Sequence, residues 1–197
     1  MYFLLRFGAV SGLLAGLFIA VPGMIEAFTG ETLATSLALG VSPALAVPLL
    51  PALRLGLPTA GDRAFADTAF AVNLLGLGLF GGAAYALNVV VHPLGDDTDL
   101  ATASRVALLA SAAVFVVGVV LFGIALLRAG AYPRTPVWLY LLGFPPFAIA
   151  ARLPDTPLTS LLHVLVGGAV AWLALSCWRL AGATADVRPD RLAGCAA

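Results

Sequence analysis

The chain has 197 residues, of which 61% are hydrophobic and 10% charged, with a mean hydropathy of +1.05. A soluble domain is nearer half apolar and a quarter charged, so the composition is that of an integral membrane protein and not of a water-soluble one. The formal charge is zero and all ten basic residues are arginine, which leaves no strongly basic face for nucleic acid and no lysine for Schiff-base chemistry.

A helix that crosses a bilayer needs about 20 mostly apolar residues, because lipid gives backbone groups no hydrogen-bond partner. Six segments approach that length: Phe7 to Phe28, Leu33 to Leu53, Ala64 to Val91, Val106 to Leu127, Thr135 to Ala151 and Leu158 to Trp178. The predicted fold is an all-α polytopic bundle of six spans, a single domain over residues 1–180, with residues 181–197 as a flexible cytoplasmic tail.

The first segment is too long for a secretory signal and lacks an Ala-x-Ala site, so it is read as a retained span. Gly8, Gly12 and Gly16 form overlapping small-xxx-small steps, which serve either packing within the chain or a homo-oligomer face. Near its end, "VPGMIEAFTG" sets Pro22 and then Glu26 in the last turn. The helix dipole disfavours an anion there by about 0.3–1 kcal/mol, so Glu26 needs water, a cation, or a partner such as Arg105 or Arg152.

Pro43, Pro48 and Pro51 interrupt the second segment. In the third, Asp67 follows Arg63 by one turn, the spacing of an ion pair. Asn73 falls about 14 Å into that helix, where either an interhelical hydrogen bond or a substrate contact would use it. Gly78 and Gly82 repeat the small-xxx-small step, and Asn88 and His92, four apart, share a face at the far end. The connection "GDDTDL" lacks EF-hand spacing and the closing Glu, so no metal site is read into Asp96, Asp97 and Asp99. Arg105 opens the fourth segment.

The fifth segment, at 17 residues, spans only about 25 Å of a core about 30 Å thick, and Pro145 and Pro146 are expected to interrupt it. Trp138 and Tyr140, with Tyr132 before them, read as an interfacial aromatic belt, as does Trp178 in the sixth segment. "LLRAGAYPRTPVWLYLLG", with Arg128, Gly130, Pro133, Arg134 and Trp138, resembles the stretch before the penultimate helix of small actinobacterial-type membrane proteins of a domain-of-unknown-function family. The resemblance covers the last third of the chain and implies a bacterial cytoplasmic-membrane protein, with no activity attached. Arginine in place of lysine fits a GC-rich genome.

Arg152 closes the fifth segment, and Asp155 and Thr156 before Pro157 read as an N-cap of the sixth. His163 lies about 8 Å into that helix, one turn from Thr159. With the N-terminus inside, eight arginines are cytoplasmic and only Arg105 and Arg152 are outside, which places both termini in the cytoplasm. "GGAAYAL" (81–87) echoes "GGAVAWL" (167–173); with broken second and fifth helices, that pattern suits a 3+3 inverted repeat, the usual pointer to a transporter site.

Glu26, Asn88, His92, Arg105, Arg152 and His163 thus fall at one outer depth, with Asn73 nearer the midplane. Three readings follow. A small-molecule or ion transporter, or binding protein, would need a cavity reaching Asn73. A membrane enzyme would need Glu26 and His163 within hydrogen-bond reach as acid and base, and a structural or partner-binding subunit would need no cavity. Cys177 and Cys195 make no disulfide framework, and there is no His-Glu-x-x-His, Gly-x-Ser-x-Gly, P-loop or Cys-x-x-Cys. The residues therefore suggest no cofactor, no metal and no nucleic-acid partner, and lean away from an enzyme.

Overall fold

The computed structural model describes residues 2–58, 62–94, 100–150 and 156–186. Among the described residues all regular structure is helical: α1 (Tyr2–Thr29), α2 (Leu33–Ala46), α3 (Leu49–Leu55), α4 (Arg63–Tyr85), α5 (Thr102–Ala129), α6 (Arg134–Ala150) and α7 (Pro157–Asp186). α4 runs on through a π-helical stretch, Ala86–Val91, and a 3-10 turn, His92–Leu94. Five rods are long and apolar enough to cross a membrane: Tyr2–Thr29, Leu33–Leu55, Arg63–Leu94, Thr102–Ala129 and Pro157–Ala183. α6, at 17 residues, is a shorter rod, the fifth in chain order. Large apolar side chains such as Phe7, Leu75, Leu109, Leu142 and Ile149 face outward, a surface that suits lipid and makes this a membrane-embedded bundle.

The six rods form a closed ring in chain order, α1, α2–α3, α4, α5, α6 and α7, with α7 packed back on α1. Every neighbouring pair is antiparallel. Along the α1–α7 seam, Leu5 meets Cys177, Gly16 meets Gly167 and Gly23 meets His163. Along α4–α5, Asn73 meets Gly118 and Gly76 meets Phe115. An even number of antiparallel rods brings the start of α1 and the end of α7 to one end of the bundle, where Arg6 is held between the rings of Tyr2 and Trp178 at 4.5 and 4.6 Å.

Lipid offers no hydrophobic drive between helices, so close backbone approach has to hold the seams. Gly8 lies on Pro48 and Ala52, Gly12 on Leu49, and Gly16 on Gly167 and Ala171. The small-residue face of α1 is therefore covered by the chain's own helices. A Cβ added at Gly78 or Gly82, in contrast, would meet nothing within 4 Å among the described residues.

The proline-rich second rod does break, between α2 and α3, and its freed carbonyls are satisfied locally. Pro43 removes the N–H that would reach Leu39, and the Ser42 hydroxyl donates to the Leu39 carbonyl instead at 2.9 Å. At the break, the Leu45 carbonyl accepts from Ser11 of α1 at 2.6 Å. Neighbouring hydroxyls are how a membrane helix tolerates such a break.

Several expectations require correction. Pro145 and Pro146 lie inside a continuous α6, so the fifth rod is not broken where the second is; the prolines remove the two N–H donors that would reach Leu141 and Leu142 without ending the helix. Tyr132 and Tyr140 are buried and are not belt residues, whereas Trp138 and Trp178 are exposed. Tyr132, in the α5–α6 connection, donates to the Leu53 carbonyl at 3.0 Å, and burial pushes its phenol well above the ordinary range. Helix α7 runs to Asp186, and residues 187–197, Cys195 among them, lie outside the described residues. So do Asp96, Asp97, Asp99 and Asp155.

Candidate functional site: a cavity inside the helix ring

A closed ring of six rods leaves space along its axis unless large side chains fill it. Here they fill it partly. A cavity of about 140 Å³ lies between the rods and takes lining from every one of them: Glu26 from α1, Ser42 and Pro43 from α2, Phe80 from α4, Phe115 from α5, Phe144 and Phe147 from α6, and Thr159 and His163 from α7. At about 30 Å³ per water, that is room for about five waters or one small organic molecule. A second cavity of about 30 Å³ shares Ala46, Leu77, Phe115, Phe144 and Val170 with the first and reaches Asn73 and Tyr140.

The polar groups gather at the end distant from Arg6. Glu26, one turn before the α1 terminus at Gly30 (φ +70°), is only 5% exposed. Gly23, three residues earlier, brings α1 against His163 without an intervening side chain. The His163 Nδ1 and the Thr159 carbonyl are 2.8 Å apart; since a carbonyl only accepts, Nδ1 carries the proton and Nε2 is the other functional nitrogen. Thr159 and Thr156 cap α7 reciprocally, Thr156 N–H donating to Thr159 Oγ1 at 2.8 Å and Thr159 N–H to Thr156 Oγ1 at 3.2 Å. Thr32 and Thr35 do the same for α2.

Glu31, which no sequence pattern singles out, stands at the mouth. Its Oε1 accepts from Ser36 at 2.7 Å and lies 3.2 Å from His92 Nδ1. His92 therefore sits at the rim and outside the lining, whereas Asn88 lines the cavity and donates to the Ala84 carbonyl at 2.8 Å. The π-helical turn separates the two, since it changes the angular step that would put residues four apart on one face.

At the other end of the cavity pair, Asn73 is fully buried and its Nδ2 donates to the Tyr140 hydroxyl at 2.6 Å. This is an interhelical hydrogen bond between α4 and α6. Its Oδ1 meets no donor among the described residues, so a polar edge is left beside an otherwise apolar space. Between the two polar ends runs a ladder of rings: Tyr140 to Phe144 at 5.0 Å, Phe144 to Phe115 at 5.4 Å, Phe115 stacked on Phe80 at 4.6 Å, and Phe147 edge-on to His163 at 4.9 Å. Single-chain pattern could not reveal it, because each ring reads as one more apolar residue of its own helix.

Of the seven residues expected in one site, the first cavity brings together Glu26, Asn88 and His163, and the second holds Asn73. His92 is at the rim. Arg105 is exposed at the start of α5 and does not line the cavity, and Arg152 lies outside the described residues. No family model, curated protein or solved structure matches the chain.

The Asn73–Tyr140 pair gives the first prediction. Asn73→Leu and Tyr140→Phe should each destabilise the protein, and the double variant should lose less than their sum, with a coupling of about 0.6–1.7 kcal/mol, the range for hydrogen bonds between membrane helices. Denaturation of the four proteins in mixed micelles measures it. Additive losses would mean that the two side chains are not bonded.

Proposed function

We propose that the chain binds, and moves across the membrane, a small amphipathic molecule held in the central cavity. The observation that supports this reading best is the lining: all six rods contribute, so any rocking of one against another changes the cavity's shape, as alternating access requires. The ligand's polar end belongs beside Glu26, Thr159 and His163 and its apolar body along Phe80, Phe115, Phe144 and Phe147. The neighbouring small cavity at Asn73, which shares five lining residues with the first, supports passage over storage.

Orientation belongs to the same proposal. Six spans with both ends cytoplasmic put Glu26 and Glu31 on the outer side, supported by the eight-to-two distribution of arginines. The inverted repeat rests on "GGAAYAL" and "GGAVAWL" alone, since only the second rod is broken.

The test is a density map of protein purified in native lipid. A non-protein feature is expected among the four phenylalanines. Replacing Glu26 by Gln should then lower its occupancy about tenfold or more, the effect of removing a charged hydrogen-bond partner worth about 1.5–3 kcal/mol. Undiminished occupancy would take Glu26 out of the site.

A further inference from the structure

At the opposite end of the bundle from Glu26, the end of α3, the start of α4 and the end of α5 enclose a second pocket, of about 90 Å³, lined by Arg54, Asp62, Arg63, Phe65 and Arg128 among others. Its carboxylates are already committed. Asp62 Oδ1 accepts the Phe65 N–H at 3.0 Å and caps α4. Asp67, beside the pocket, takes Arg54 on Oδ1 at 2.6 and 2.8 Å and Arg63 on Oδ2 at 3.5 Å. Arg128 meets no carboxylate among the described residues; its guanidinium lies over the Phe65 ring at 5.0 Å.

Three arginines against two carboxylates leave one positive charge in excess, and Arg128 carries it. A ring beneath the guanidinium holds its plane and leaves the N–H edge free for a planar or tetrahedral oxyanion. The pocket lies where apolar rods give way to charged side chains, the level of lipid headgroups.

We propose that this pocket binds a singly charged phosphate, either the phosphodiester of an anionic lipid or free inorganic phosphate. One excess charge matches a monoanion, and a zwitterionic headgroup has no such match. Arg128 is the anchoring residue, and Arg54 and Arg63 supply the walls.

Native mass spectrometry of the purified protein, given phosphatidylglycerol or phosphatidylcholine, tests it. Phosphatidylglycerol should be retained in preference, and Arg128→Gln should reduce that retention about fivefold, the effect of one arginine at a membrane surface. Arg134→Gln removes the same charge at the same end but outside the pocket, and should leave retention unchanged. Thermal unfolding identifies the source: a shift with inorganic phosphate that Arg128→Gln abolishes assigns free phosphate, and one with phosphatidylglycerol alone assigns the lipid. Equal effects of Arg128→Gln and Arg134→Gln, or no difference between Arg128→Gln and wild type with either ligand, would overturn the proposal.

Discussion

Gly16→Leu should disrupt the bundle, with a loss of about 3 kcal/mol or more, at the upper end of what overpacking costs. A Cβ at residue 16 would stand 2.6 Å from the Gly167 carbonyl oxygen and 2.8 Å from the Ala171 nitrogen, and one at residue 167 would stand 2.5 Å from the Gly16 oxygen. Those atoms are backbone and cannot rotate away. The contact is reciprocal, so relief requires α1 and α7 to move apart along the seam that closes the ring. Gly78→Ala and Gly82→Ala, on a face where a Cβ meets nothing, should instead leave stability unchanged or raise it by up to about 1 kcal/mol through helix propensity. Unfolding monitored by steric trapping or in a denaturing detergent series compares the three. Wild-type stability for Gly16→Leu would mean that the α1–α7 seam is not closed as described.

Ala46→Phe should abolish ligand binding while leaving the protein folded. Ala46 ends α2 immediately before the break and lines both cavities, so an added ring enters existing space and not a packed core. The stability change is expected to stay at or below the lower end of the about 1–3 kcal/mol that overpacking costs. Occupancy of the cavity in a density map should fall by about tenfold or more, equivalent to about 1.4 kcal/mol of lost contact. Passage should fail as well, because the ring stands between the Glu26 end and Asn73. A variant that keeps both its stability and its bound molecule would show that the ligand sits elsewhere.

Part of the cavity's polar lining stands out in the sequence, but its geometry does not. Glu26 and His163 stand out because an ionisable side chain in an apolar helix is conspicuous, and they do line one cavity. The α-helical step groups His92 with Asn88, and the π-helical turn at Ala86–Val91 defeats that step. Glu31 has the pattern of an ordinary loop residue, since nothing in its neighbours announces a partner on another element. Tyr140 near a helix start suggests an interfacial belt, although it faces Asn73 across the ring. Arg105 joins the expected group by depth alone, and depth does not say which way a side chain points.

Composition and run length by themselves determined that this is an apolar, all-helical chain of near-membrane-length rods, because the cost of an unsatisfied peptide group in lipid depends on local sequence and on nothing distant. Short-range spacing also determined the Arg63–Asp67 pair and the cap before Pro157. Only the tertiary structure decided that α1 closes on α7, that the glycines of α1 are used within the chain, and that four phenylalanines line one space with Glu26 and His163 while Asn73 borders a smaller one beside it. These depend on how the rods rotate about their axes and which pairs touch. In lipid, where every face is nearly as apolar as the next, the hydrophobic pattern of a single helix carries little record of that choice.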